Sequence, residues 1–102
     1  MLAKQKFDAV KALVQQASKD QDANLIVHEV PKLGVNVVGE SNYMLLNCEY
    51  EASDSSSLKF HYHSYDPSGP FQNIPDINKV KIELFNKGEL VEKHEESFDD
   101  KR

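Results

Sequence analysis

The sequence contains one cysteine, four glycines and four prolines, and it has no long apolar run. With Cys48 as its only cysteine, the chain can form no internal disulfide and is not a disulfide-stapled secreted domain. No apolar segment approaches the length that a membrane-spanning helix needs. Lys4 and Lys6 interrupt the N-terminal segment, which therefore lacks the apolar core of a signal peptide. These absences lead us to expect a cytoplasmic protein with no membrane partner.

Motifs for catalysis and for cofactor binding are missing as well. The glycines are dispersed, so none of them builds a loop that could cradle a phosphate group. The sequence has no Gly-x-Ser-x-Gly nucleophile motif and no Cys-x-x-Cys pair. The net charge of −5 disfavours nucleic acid or an anionic membrane as a partner. We therefore expect a protein that is not an enzyme, uses no cofactor and binds no nucleic acid.

The composition that is present is typical of one small folded domain. The chain has 102 residues, of which 39% are hydrophobic and 28% are charged, so we expect a single domain over residues 1–102. A chain of this length buries roughly 65% of the surface that its unfolded form exposes. It therefore needs neither a disulfide nor a metal ion to fold.

The N-terminal segment has the pattern of an amphipathic helix over residues 2–19. It contains no glycine or proline, and its apolar residues recur at spacings of three and four. A sheet with one apolar face needs a cover, so we predict that this apolar stripe packs on the sheet. The alternative is a helix that binds a partner or a membrane surface. The stripe comprises Ala3, Phe7, Val10, Val14 and Ala17.

The rest of the chain predicts strands joined mostly by short turns. Short links make consecutive strands antiparallel neighbours, because a parallel crossover needs a dozen residues or more. The predicted fold is therefore α+β, with a single N-terminal helix packed on one face of an antiparallel five- or six-stranded meander sheet. The charged tail at 96–102 is predicted to be frayed. The predicted strands lie at about 25–30, 33–39, 43–51, 58–65, 79–86 and 89–95.

The hairpin formed by 43–51 and 58–65 organises the predicted sheet. The two-residue period of a strand places Met44, Leu46, Cys48 and Tyr50 on the same face as Leu58, Phe60 and Tyr62. A register that pairs Cys48 with Phe60 also pairs Glu49 with Lys59. A slip of two residues would keep the faces and pair Glu51 with Lys59 instead. A slip of one residue would move one apolar set to the opposite face, so it is excluded. We expect Cys48 to be buried and slow to react.

The opposite face of this hairpin is more aromatic than a solvated face requires. Tyrosine is enriched at interfaces and lysine is depleted there. We therefore hypothesise that the face contacts another protein chain, with a second copy of this one as a candidate, in a pH-sensitive manner because of its histidines. The predicted function is that of a small non-enzymatic protein-binding or adaptor domain. The partner-binding residues on this face are Tyr43, Leu45, His61, His63 and Tyr65.

The segment 66–78 holds three of the four prolines, and no strand can run through it. Its apolar residues Phe71, Ile74 and Ile77 are spaced by three, which suits a single helical turn packed inward. Loops of this length are also often binding loops, and the sequence leaves both alternatives open. Phe71 is for this reason included among the candidate partner-binding residues.

The pair His61 and His63 supports an alternative function. Two histidines at positions i and i+2 of a strand project from one face about 6.6 Å apart, which suits two ligands of one zinc ion. Asn47, Glu49 or Glu51 could face them across the hairpin. The alternative is therefore a domain that binds a metal or a small ligand through His61 and His63, against the simpler interpretation of two surface histidines.

Overall fold

The computed structural model describes residues 1–20, 24–38, 45–63 and 79–97. Within them one N-terminal helix packs against a five-stranded antiparallel meander, so the fold is α+β as predicted. The helices are α1 (Leu2–Asp20) and the short α2 (Asn24–Glu29), which a 3₁₀ turn at Pro31–Leu33 follows. The strands are β1 (Asn36–Val37), β2 (Leu45–Glu51), β3 (Ser56–His63), β4 (Lys79–Asn86) and β5 (Glu89–Ser97), in that order across the sheet.

Helix α1 covers one face of the sheet with the predicted stripe. It contacts β3, β4 and β5, and its apolar residues join those of the strands in one core. Phe7 is fully buried in this core, so it fills space that no solvent reaches. The prediction of a packed helix over 2–19 is confirmed, and α1 continues one residue further, to Asp20. Its buried residues are Ala3, Phe7, Val10, Val14 and Ala17.

The central hairpin has the first of the two registers that the sequence allows. Cys48 pairs with Phe60, Glu49 with Lys59 and Tyr50 with Leu58. Leu46, Cys48, Leu58, Phe60 and Tyr62 are all buried on the side of α1, and Tyr50 packs against the same core. Met44 lies outside the described residues. The face assignment of the hairpin is confirmed because one period-2 pattern fits both strands at once.

The predicted strand at 25–30 is wrong, because this segment forms the helix α2. Ile26 and Val30 are four residues apart and both fully buried, which is the spacing of one helix face rather than of one strand face. The Val30 N–H donates to the Ile26 carbonyl at 3.1 Å, a bond of α-helical type. Burial against α1 and the core thus outweighs the β propensity of the local apolar run.

Other predicted boundaries also change. The strand predicted at 33–39 shortens to β1, because the 3₁₀ turn extends to Leu33 and Gly34 follows in the left-handed conformation at φ 87°. Strand β3 begins two residues earlier than the predicted start at 58, and β4 has the predicted bounds. Strand β5 runs to Ser97, so the tail is not frayed at 96–97. The remaining predicted strand residues at 39, 43–44 and 64–65, and the tail residues 98–102, lie outside the described residues.

Strand β5 places charged side chains on the face that α1 covers. Its residues Glu92, His94 and Glu96 pair with Leu84, Ile82 and Val80 of β4, which are all buried. Lys4 of α1 binds Glu92 with 2.6 Å between Nζ and Oε1, and His94 Nε2 lies 3.2 Å from Glu96 Oε1. Inward-pointing charges on an edge strand oppose pairing with another sheet edge.

The first turn of α1 is capped by residues from the β2–β3 turn. The Leu2 N–H donates to Asp54 Oδ2 at 2.8 Å, and the Ala3 N–H donates to Ser56 Oγ at 3.0 Å. The Ser56 hydroxyl in turn donates to Asp54 Oδ1. These hydrogen bonds, led by that of the Ser56 hydroxyl, lower the pKa of Asp54 to about 2. Because α1 has no acidic residue in its own first turn, the turn at 52–55 supplies the cap and fixes the helix to the sheet.

No helix within 1–20 or 24–33 is long and apolar enough to cross a membrane.

Candidate functional site

The candidate site is the sheet face that points away from α1, which we call the open face. Its residues alternate along each strand with the buried core residues, and they are half-buried or exposed. Both described helices belong to the opposite side, since α1 packs on the sheet there and α2 contacts α1. The open face comprises Asn47 and Glu49 of β2, Lys59 and His61 of β3, Lys81 and Glu83 of β4, and Lys93 and Glu95 of β5.

A concavity of about 330 Å³ lies on the open face. Its surface is slightly more apolar than polar, and its polar groups include carboxylates on both sides of a lysine and an amide beside a histidine. This volume is at the lower end of those of small-ligand sites. The lining residues are Val38, Asn47, Cys48, Glu49, Lys59, Phe60, His61 and Glu83.

His61 is the predicted site residue whose side chain the structure places fully. It is half-buried in the concavity, and its Nδ1 is hydrogen-bonded to Asn47 Oδ1. Since an amide oxygen only accepts, the Nδ1–H of His61 donates this hydrogen bond. Asn47 pairs with His61 across β2 and β3, so the register of the hairpin holds the imidazole in one orientation and tautomer.

The other predicted contact residues are placed only in part. Leu45 and His63 are backbone partners at the ends of β2 and β3, and their side chains are outside what the structure describes. Tyr43, Tyr65 and Phe71 lie outside the described residues, as does the whole segment 66–78. Among the described residues, the open face carries His61, Asn47, charged residues and the ring of Phe85, and the aromatic character expected from Tyr43 and Tyr65 stays a prediction.

The strand register gives the backbone neighbours of the two histidines. On β4 the partners of His61 and His63 are Lys81 and Lys79, whose ammonium groups repel a cation. On β2, Asn47 is the partner of His61, whereas Glu49 is paired with Lys59 and Glu51 with Ser57. Across the four described ranges, no group of three or more His, Cys, Asp and Glu side chains could hold a metal ion.

The thiol of Cys48 does not belong to the open face. It is 1% exposed and lies in the core cluster, on the opposite side of β2 from Asn47 and Glu49. Burial raises the pKa of the Cys48 thiol to about 11, so the group stays protonated at neutral pH. The position of Cys48 in the core was predicted, and its side chain is separated from His61 by the sheet itself.

The charged residues of β4 are the part of the site that sequence reasoning missed. Lys81 and Glu83 alternate with buried residues in the sequence, which places them on one face of β4. Their neighbours on β3 could not be read from the sequence, because the long segment 66–78 separates the two strands and does not set their register. The structure pairs Lys81 with His61 and Glu83 with Lys59.

Comparisons of the chain with protein-family models, with curated proteins and with solved structures found no match.

Proposed function

We propose that this domain is a small non-enzymatic protein-binding or adaptor module whose contact surface is the open face. The observation that carries the proposal is the asymmetry of the sheet, which has α1 and the apolar core on one side and a concave charged surface on the other. Strand pairing already orders the backbone of this surface, so the binding of a partner chain costs little further backbone entropy.

The charges of the open face support a role in specificity. Glu49, Lys59 and Glu83 follow one another across three strands, so their signs alternate over a short distance. Such a pattern attracts a surface with the complementary order of charges and repels others, which contributes to specificity more than to affinity. The location that we propose, the cytoplasm, fits the single reduced thiol of Cys48.

Partner capture with a matched pair of variants tests the proposal. Asn47→Arg puts a guanidinium into the concavity, and Gln15→Arg makes the same amide-to-guanidinium change on the exposed face of α1. We expect a protein from native extract that wild type and Gln15→Arg retain and that Asn47→Arg loses. Thermal melts of both variants check that each is folded. If all three proteins retain the same set, the open face is not the contact surface.

A second candidate function is the binding of a small polar ligand in the concavity, with His61 as a contact. The observation in its favour is that Asn47 fixes the imidazole tautomer inside a cavity of about 330 Å³. The donor set around His61 and His63 fits a zinc ion poorly, because the β4 neighbours are lysines.

Two measurements separate this candidate from the first. Zinc content is measured after purification without an affinity tag, and the imidazole signals of His61 are followed by NMR during titration with zinc and with small carboxylates. The ligand function predicts saturable shifts in wild type that His61→Ala abolishes. Zinc well below one equivalent, together with unchanged imidazole signals, rules out both forms of this candidate.

A further inference from the structure

A row of alternating charges crosses the open face from β2 to β5. The register places Glu49 beside Lys59, Lys59 beside Glu83, and Glu83 beside Lys93. The signs along the row are therefore negative, positive, negative and positive. Glu49, Lys59 and Lys93 are exposed and Glu83 is half-buried, so all four head groups can be reached from outside the sheet.

Among the described residues, Glu49, Lys59 and Glu83 form no salt bridge although opposite charges are their neighbours. Lys59 lies over the ring of Phe85, with 5.4 Å from Nζ to the ring centroid. Lys93, at the end of the row, contacts Glu95 at 3.1 Å. The inner charges are therefore available for ion pairs with a partner chain.

When the row is turned end for end, its signs become positive, negative, positive and negative, so every charge lies opposite one of the other sign. We infer from this that the open face binds a second copy of the chain. A two-fold axis parallel to the strands, between β3 and β4, reverses the row of the second copy. Lys59 then faces Glu83 of the second copy, and Glu83 faces Lys59 of the second copy. At the ends of the row, Glu49 faces Lys93 of the second copy. This inference rests on the proposed function, whose partner it identifies.

The orientation of the two copies follows from the charges as well. A two-fold axis perpendicular to the strands would place each residue of the row opposite itself, so that like charges would meet and repel each other. The axis along the strands produces an aligned sandwich, in which sheet twist rotates the two sets of strands by about 30°. This rotation displaces the ends of the row more than its centre. The central contacts between Lys59 and Glu83 therefore decide the pairing.

The neighbouring row is compatible with the same axis. It contains Asn47, His61, Lys81 and Glu95 in that order across the sheet. Reversal places the amide of Asn47 opposite the carboxylate of Glu95, where it can donate a hydrogen bond. His61 comes opposite Lys81, a contact that a neutral imidazole tolerates. Both rows can therefore be satisfied in one isologous interface.

The size of the face predicts a weak dimer. Four strands about 4.8 Å apart and roughly 25 Å long give a contact of about 500 Å² on each copy, or about 1,000 Å² in total. Specific interfaces begin near this area. Desolvation of the charges offsets much of their mutual attraction, and salt screens the pairs that stay partly exposed. We expect association at high micromolar concentration that weakens as salt increases.

Charge reversal at the centre of the row gives a sharp test. In Lys59→Glu, two carboxylate pairs would face each other across the dimer, and in Glu83→Lys two ammonium pairs would do so. Each variant alone should dimerise at least about tenfold more weakly than wild type. An equimolar mixture of the two variants restores both opposite-charge contacts and should form a heterodimer. Sedimentation velocity at low salt measures all four samples, and thermal melts confirm that each variant is folded.

The controls reverse charges on the exposed end of α1, with Lys19→Glu matched to Lys59→Glu and Asp20→Lys matched to Glu83→Lys. Both should sediment like wild type. The inference is overturned if wild type is monomeric at millimolar concentration in low salt, or if the mixture does not associate more strongly than either variant. A monomeric protein that still loses its partner through Asn47→Arg would contradict only the second copy as occupant. If the protein is monomeric and Asn47→Arg also retains the same partners as wild type, the proposed function is contradicted as well.

Discussion

One substitution, Ser56→Ala, removes one of the two hydrogen bonds that cap α1 and leaves the bond from the Leu2 N–H to Asp54 in place. Ser56 is 1% exposed and Ala3 is fully buried, so the Ala3 N–H that donates to Ser56 Oγ at 3.0 Å would lose its acceptor without gaining water. A buried donor without a partner costs about 1–3 kcal/mol. For a domain of about 100 residues, each kcal/mol lowers Tm by roughly 4–8 °C. We therefore expect Tm to fall by at least about 4 °C.

Ser57→Ala is the matched control for this prediction. It makes the same chemical change at the next residue, whose side chain is half-buried on the other face of β3. Urea unfolding of the three proteins, with equal slopes, gives the difference in free energy of unfolding between the two variants. If Ser56→Ala and Ser57→Ala differ by less than about 0.5 kcal/mol, the typical scatter for surface substitutions, the cap does not fix the helix and this reasoning is refuted.

Four further predictions concern the core, the Cys48 thiol, the stability at acid pH and the segment 66–78. Phe7→Ala removes a fully buried ring and should lower the free energy of unfolding by about 3–5 kcal/mol; an unchanged urea midpoint would mean that α1 does not pack on the sheet. Cys48 should react slowly with a thiol reagent at pH 8, because burial raises its pKa to about 11, and labelling should become stoichiometric in denaturant. The pKa of Asp54 falls from 3.8 to about 2 on folding, so its contribution to stability is complete above about pH 4 and disappears as the pH falls towards 2; Asp54→Asn should flatten the acid limb of a plot of Tm against pH, and an identical limb would contradict the role of the carboxylate. Limited proteolysis tests whether 66–78 packs inward through Phe71, in which case the native protein should resist cleavage there, whereas rapid cleavage with the rest of the fold intact would favour a binding loop.

The parts of the fold that the sequence predicts are those in which local pattern and tertiary packing agree. The stripe of α1 and the two strands of the central hairpin each have one clear period, and a one-residue error would have put apolar side chains into water. Cys48, Leu58 and Phe60 were therefore assigned to the correct face.

The structure differs from the sequence prediction where the local pattern was weak or where the contacting residue lies far along the chain. The apolar run around Ile26 has no clear period by itself, and its helical form follows from the burial of Ile26 and Val30 in the shared core. The cap of α1 joins Leu2 to Asp54, which is 52 residues away, and no local motif encodes such a contact. The charged residues of β5 on the side of α1 also depend on a distant contact, since Glu92 forms its ion pair with Lys4, near the other end of the chain.

The same distinction applies to the site. The pairing of Asn47 with His61 occurs in one of the two hairpin registers that the sequence allows, and the structure has this one. The row from Glu49 through Lys59 to Glu83 requires the register between β3 and β4, which depends on the folded sheet. For this reason the sequence indicated a contact face but did not reveal its pattern of charges.

Site-specific photo-crosslinking in the native cell tests the open face as a contact surface most directly. A photoreactive residue at Ser57, which lies on this face beside Lys59, reports on the open face, and the same residue at Lys19 reports on the exposed end of α1. Two epitope tags distinguish adducts with a second copy from adducts with another protein. We predict discrete protein adducts from position 57 and none from position 19. Equal adducts from both positions, or none from either, would contradict the assignment of the open face as the binding surface.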